Sequence, residues 1–456
     1  VFLSANSVAG QTTALGTTTT VVTTAGATLA IAGAYNLATI TFGGSTPTIA
    51  LRNQSYTVVT QTATLITTLQ TMAAAPGTTG TDVFTLSGWR TLLMTSQNFK
   101  PNFRTVQSQI LRSDGNIQDI VRVATDANGN LPFEMHYGDQ YSGIFEMLQA
   151  AMRTVAVPQV KTTDGGQGSA ASSIFTSATF GFTANVQPGD IMYVGAGCSD
   201  PGYYRVATVD SNTQVTFEGV NAGAGWSGAP GPSTIPTIRG ARMVNGTTLT
   251  TGAVELGFLD APYFVEFLGC GVNGFTLDVT DEQIMKGSFA MIGAGIADGS
   301  STYVTPVATA APATNVMSNK VNVPAIRLDG ANLQVKSVGL TINNGITLET
   351  VVANQVATGM NLGSFQLTGT MAAYLSATNM TYFHKLVTAT EFKMLIVAAD
   401  PTTAGKGWSF SMPACKFMDS DIGTQGLNQP QMVSLPWQAK LSAAEGITAR
   451  FQRFDG

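Results

Sequence analysis

The sequence predicts a mainly β protein with a minor α+β share: a β-sandwich or barrel core with one flanking α-helix, an inserted small β-module and an N-terminal accessory domain. Three observations carry this reading. Apolar residues alternate with period two over short runs along most of the chain, as in SYTVVTQT (55–62), GYYRVATVD (202–210) and FKMLIVAAD (392–400), and turn residues separate the runs. Charged residues make up only 11% of 456 residues, against roughly 25% in an average soluble protein, so the polar surface rests on Thr, Ser, Asn, Gln and Gly. Residues 139–153 spell out an amphipathic helix beside the core strands. At 44% apolar content the chain has material for two to three domains.

The organising stretch is Arg104–Met152. RTVQSQILRS (104–113) alternates, Asp114-Gly115-Asn116 turns, and IQDIVRVA (117–124) returns. DANGN (126–130) reads as a second turn, followed by the strand LPFEMH (131–136) with Leu131, Phe133 and Met135 on one face. His136 then falls on the exposed face. Asp139 is the candidate N-cap of the helix, and Tyr141, Ile144, Phe145, Leu148 and Met152 form its stripe. Arg153 suits the helix dipole in the last turn, and Pro158 prevents continuation.

The remaining chain divides by composition. Residues 1–81 contain one charge, Arg52, and read as a β-β-α accessory region, with TLITTLQTMAAA (64–75) as its helix. Residues 82–160 hold the first half of the core, and 240–456 the second. Between them, Gly/Ser-rich flanks bracket a module at 166–238 whose strands include NVQPGDIMYVGAG, GYYRVATVD and TQVTFEGV. In the second half VELGFLD, PYFVEFLGC, IMKGSFAMIGAG, VKSVGLTINNGI, GSFQLTGTMAAYL, FKMLIVAAD, WSFSMPACKFM and QMVSLPWQAKL are the strands.

The order SQILRSDGNIQDIVRV, then a turn, then LPFEMHYGDQYSGIFEMLQAAM resembles the tail tube proteins of long-tailed, siphovirus-like bacteriophages. The matching positions are Glu134, Tyr137, Gly138, Phe145, Glu146, Leu148, Ala150 and Ala151. Further on, Phe267, Gly269, Val272, Asn273, Leu277, Gly287, Phe289 and Gly293 fit a second family pattern, with Thr276 where the family has serine. Gly363, Phe365, Thr368–Thr370, Pro413 and Phe417 fit its closing pattern. The resemblance covers roughly 82–160 and 240–456, and the module by a weaker pattern, whereas 1–81 lie outside it. It implies a structural virion protein: hexameric rings stacked into a tube through which DNA leaves the head for the host. It also implies tape measure, tail terminator and tail-tip proteins as partners, a tail made in the host cytoplasm, and an outer-face position for the helix and the module behind it. No cofactor or catalytic role comes with it.

Motifs for chemistry are weak. Gly269-Cys270-Gly271-Val272-Asn273-Gly274 spells GxGxxG, but it joins strand to strand, where a dinucleotide site needs a helix opening on the pyrophosphate. A tight turn is the better reading. The two histidines, His136 and His384, lie in no HxxxH or CxxC context, and no GxSxG elbow is present. Asp278, Asp281, Glu282, Asp419 and Asp421 read as solvated turn residues. Cys198, Cys270 and Cys415 show no disulfide spacing. No stretch reads as a membrane span or signal peptide. The formal charge of −5, without a basic block, disfavours tight phosphate binding.

Two function classes stand: the self-assembling tube subunit, and an exported β-sandwich adhesin or glycan-binding protein. The second would cluster exposed Trp and Tyr for sugar stacking, whereas the four tryptophans are far apart in sequence. For the first, strands 104–124 are the candidate channel wall. Arg104, Arg112 and Arg122 are then expected to face neighbouring subunits or pair with acids such as Asp114 and Asp119. Glu134, Tyr137, Phe145 and Leu148 complete the assembly and structural candidates, with Phe145 and Leu148 on the helix's apolar stripe.

Overall fold

The computed structural model describes strand segments between residues 2 and 87, and residues 89–137, 143–162, 167–168, 172–195, 200–220, 226, 237–258, 260, 263–297, 314–374, 377–419 and 431–456. Strand outweighs helix by 54% to 8%, and the sheets are antiparallel, as the alternating runs demand. Two long strands organise a sixteen-stranded sheet. Tyr263–Thr280 pairs with Lys286–Ile296 along one edge. Along its other edge it pairs first with Thr251–Phe258 and then with Ser337–Asn343. The sheet continues through Gln366–Tyr374 and Met432–Ala439 to the second long strand, Lys406–Phe417. That strand also changes partner, taking Arg450–Asp455 along its first half, while Phe392–Ala399 runs along its other edge.

A strand of eighteen residues bends where its ladder is broken. Opposite Ala253 the long strand spends an extra residue, because Gly252 pairs with Cys270 but Val254 with Phe267. Gly269 sits inside this bulge with φ +58, where a Cβ would lie 3.1 Å from that of Ala294. The GxGxxG text is thus a bulged, continuous strand and not the tight turn expected from sequence.

Alternation decides which face is covered. Lys286–Ile296 and Met432–Ala439 each bury every second residue, so one face meets the core. Phe133, Phe275 and Phe289 stack there, with Phe289 4.9 Å from Phe133 and 5.2 Å from Phe275. Lys406–Phe417 is buried on both faces along most of its length. The helix covers it at Trp408, 6.2 Å from the Phe145 ring.

The helix runs over Gly143–Ala151; residues 138–142, including the expected cap Asp139, lie outside the described residues. Ile144, Phe145, Met147, Leu148, Ala150 and Ala151 are all buried, which is wider than a stripe. Gln149, on the remaining side, accepts a hydrogen bond from the Ala156 N–H at 2.8 Å. The helix ends in a Schellman arrangement: Arg153 N–H donates to Ala150 O and Thr154 N–H to Gln149 O. Arg153 occupies the left-handed position at φ 56, which glycine usually fills.

The inserted module forms a seven-stranded sheet from Val160–Thr162, Thr237–Arg239, Ile191–Val194, Gly202–Ser211, Gln214–Phe217, Ile174–Thr176 and Gln167–Gly168, in that order. It has its own core around Phe175, Phe182, Phe217 and Trp226. Its opposite face packs Tyr193, Tyr203 and Ile238 on Leu395, Val397 and Phe454 of the large sheet. This cover explains why Arg450–Asp455 is buried on both faces although its text, RFQRFD, looks half solvated. Gln452 accepts from Ile191 N–H at 2.6 Å and donates to Ile191 O at 3.2 Å.

Before residue 90, six strands close a barrel in the order Val8–Thr12, Val21–Ala25, Leu65–Thr68, Ser55–Gln61, Thr39–Phe42 and Val83–Ser87. The helix expected over 64–75 is a strand at Leu65–Thr68, and residues 69–75 lie outside the described residues. Ile66, Thr67 and Thr68 are β-branched, and that preference wins over the helical spacing of Leu65, Leu69 and Met72. Phe2–Ser4 precedes the barrel strands and joins the large sheet between Trp89–Arg90 and Thr251–Phe258.

Candidate assembly interface

The sequence-predicted hairpin is an arm. Lys100–Gln107 pairs with the first half of Ile120–Glu134, from Gln107↔Ile120 to Lys100↔Asn128. The strands are shorter than the alternation predicts, since 108–119 form the connecting loop. Within that loop the expected turn is present: Gly115 has φ 69 and donates to Arg112 O, and Asn116 N–H donates to Asp114 Oδ1. The second expected turn, DANGN at 126–130, is absent. Ile120–Glu134 is one strand of fifteen residues that passes from the arm to a ladder with Lys286–Ile296. Gly129 serves a close approach instead of a turn, because a Cβ there would lie 2.5 Å from Asn98 O.

The arm exposes apolar side chains on both faces: Phe103, Val106, Ile110, Leu111, Ile117, Ile120, Val121 and Val123, with Leu111 99% exposed. A lone exposed leucine is ordinary, but eight such residues on a two-stranded projection form an uncovered patch. A second apolar tip stands at the arm's root. The chain between Thr347–Glu349 and Gly359–Asn361 exposes Val351 and Val352, the latter 98%. It braces the arm through Thr125 N–H to Gln355 O at 2.7 Å and Gln355 Nε2 to Arg122 O at 3.3 Å.

The arm's charges are largely occupied. Arg104 pairs with Asp126, an acid the sequence reading did not name, and Arg112 pairs with Asp114 at 3.0 Å. Arg122 lies over the Phe103 ring at 4.0 Å. Asp119 Oδ1 accepts from the Ile120 N–H at 2.7 Å. The Arg112 hydrogen bond holds the Asp114 carboxyl down at about 2.

Glu134, Tyr137, Phe145 and Leu148 belong to a different place, the join between arm, helix and core. Glu134 faces Lys286 across the ladder. The Tyr137 hydroxyl donates to Ala399 O at 2.6 Å and accepts from Asn322, and burial pushes its pKa up to about 12. Leu148 is wholly buried. His136 is not exposed but 3% accessible: its backbone bridges to Val316, and its Nδ1 lies 3.3 Å from Thr314 Oγ1. Arg153 is the cation expected in the helix's last turn. It is buried and donates to Asn344 Oδ1 at 2.8 Å, Asn344 O at 2.6 Å and Gly363 O at 2.9 Å. Asn344 and the Val351-Val352 tip were missed in sequence. A valine pair between the polar residues Thr350 and Asn354 was the available signal for the second.

Among the described residues no group of three or more His, Cys, Asp or Glu could hold a metal ion, and no helix is long and apolar enough to cross a membrane. Trp226, Trp408 and Trp437 are buried, so none of the three offers a stacking face for a sugar.

A bulged antiparallel sandwich with an arm that exposes eight apolar side chains defines the class: a mainly β protein. A family model described as phage tail tube protein matches residues 67–439. The chain belongs to that family, whose members are structural proteins of the virion tail. No curated protein matches the chain.

Proposed function

We propose that this chain is the ring subunit of the tail tube: six copies close a ring, rings stack through their arms, and DNA leaves the head through the lumen. The observation that carries this reading is the arm, with eight largely exposed apolar side chains and charges already occupied within the chain. Covering such a surface with another copy removes it from water at roughly 25 cal/mol per Å² of apolar area. A heterologous contact of this kind propagates into rings and filaments. The Val351-Val352 tip supplies a second contact beside the arm's root.

The partners are first of all copies of the same chain, then the tape measure, terminator and tip proteins that bound a tail. DNA passes without being held, because the net charge is −5 and no basic run rewards phosphate contact with counterion release. Assembly takes place in the host cytoplasm, and the virion tail is the destination. Negative-stain imaging with light scattering on the purified chain tests the reading. Hexameric rings or tubes are expected; a strict monomer at high concentration, even with tail-initiating proteins added, would refute it.

A further inference from the structure

Charge does not balance where the module meets the core. A cavity of about 20 Å³ lies in that seam, lined by Arg205 and Glu218 from the module and by Arg327, Gly330, Lys393, Met394 and Leu395 from the large sheet. Three cations line it against one carboxylate. Glu218 is shared, accepting from Arg205 and from Lys393 at 2.8 Å. Glu445, behind the cavity, takes the other end of the Arg205 guanidinium. Asp329, next to Gly330 in the chain, is held by Lys385 at 2.7 Å. Counting Glu445, the group keeps one positive charge in excess. The adjoining seam offers no relief, because Arg239, Arg242 and Arg450 gather there around the single wholly buried carboxylate Asp190.

Arg205 is 6% exposed, and its Nε–H has no hydrogen-bond partner among the described residues. Arg327 spends its Nε on Asn332 Oδ1 at 3.1 Å and Nη1 on Tyr203 O at 3.0 Å, neither of them a carboxylate. Buried donors are normally satisfied, and buried charge is normally paired. A space needs about 10–15 Å³ to admit one water-sized particle, so this cavity takes one small particle.

We propose that the seam cavity binds one small monovalent anion, of which chloride fits the space, between Arg205 of the module and Arg327 and Lys393 of the core. The anion neutralises the excess charge of Arg205, Arg327 and Lys393 and ties the two units together. The inference goes beyond the tail-tube reading and does not rest on it. Burial lowers the pKa of Arg327 and of Arg450, and for Arg450 the carboxylates of Asp190 and Glu445 oppose that shift.

The test is thermal unfolding of the full chain in sodium chloride, sodium bromide and sodium gluconate at equal ionic strength. The two halides are expected to raise the transition saturably above its gluconate value by a few degrees. Lys393→Met, at a side chain 47% exposed, should fold normally and lose that difference. Crystals grown with bromide should show its anomalous signal beside Arg205. Equal transitions in chloride and gluconate, or an undiminished halide difference in Lys393→Met, would overturn the proposal. If the variant fails to fold, the bromide measurement on the unaltered chain decides, and water alone in the cavity refutes the site.

Discussion

Arg153 and Asn344, 191 residues apart, close the same corner of the fold: the arginine gives its Nε to the Asn344 side chain and its Nη2 to the Asn344 carbonyl. Asn344 passes the restraint on, donating to Ala151 O and Val272 O at 3.0 Å each. The helix end, the long strand and the turn after Ser337–Asn343 are therefore fixed together. The left-handed backbone at Arg153 is offset by these bonds.

Arg153→Ala removes three charge-assisted bonds and leaves alanine at positive φ, so denaturant unfolding should show a loss of at least about 3 kcal/mol. Arg153→Gly should lose less, by about 1 kcal/mol, since glycine accepts that φ at no steric cost. A glycine variant as stable as the parent would mean that the side-chain bonds contribute no more than the backbone strain that glycine relieves.

Phe145→Ala should cost about 3–5 kcal/mol, because the ring is buried against Trp408. Gln149→Ala, which a stripe reading would leave silent, should cost about 0.5–1.5 kcal/mol through the orphaned Ala156 N–H. Equal thermal transitions for the two variants would contradict this ranking.

Legibility in the sequence followed locality. Period-two alternation located most strands of the core, and the 3.6 spacing found the buried helix, because both are written in neighbouring residues. What failed was decided by distant contacts. Asn128-Gly129 is turn text, yet the glycine is there to let Asn98 and Phe99 approach. RFQRFD carries three charges and no clear apolar alternation, and it is interior because the module covers Arg450 and Gln452 on one face while Arg453 lies over the Phe145 ring on the other. The arm was legible as a hairpin. Its exposed tips were not, since alternation does not say which face lacks a partner.

Leu111→Asp places a charge at the arm's most exposed apolar position. The isolated subunit should unfold at an unchanged temperature, since the residue touches little of its own chain. Tube or ring formation, scored by microscopy, should be lost. Normal tubes from this variant would remove the arm tip from the interface.

The arm's turn should resist acid. Hydrogen bonding to Arg112 depresses the Asp114 carboxyl from 3.8 to about 2. A depressed carboxylate contributes its part above the ordinary value and loses it as pH falls through the folded one. The Asp114 carboxyl resonance should therefore stay that of a carboxylate at pH 3 and titrate near 2. In Arg112→Gln the midpoint should move back toward 3.8.

The module and its seam make opposite demands, which gives the sharpest contrast. Asp190 is wholly buried and holds Arg242 at 2.7 Å and Arg450 at 3.5 Å. Asp190→Asn takes the carboxylate from Arg242 and leaves Arg450 only Glu445, at 3.2 Å, and breaking a buried pair in this way typically costs about 3–5 kcal/mol. Replacing residues 166–238 by a Gly/Ser linker is the larger edit but returns Arg242 and Arg450 to water, where no partner is needed. Its cost falls on Leu395, Val397 and Phe454, whose apolar cover leaves with Tyr203 and Ile238. The excised chain should thus stay folded with reduced solubility, and a polar residue at Phe454 should restore it. With the module on the outside of the tube, such chains should form tubes of unchanged inner diameter and smoother outline. Loss of ring closure by a folded excised chain would make the module part of the ring, and an Asp190→Asn variant as stable as the parent would show that the seam is not held by its charges.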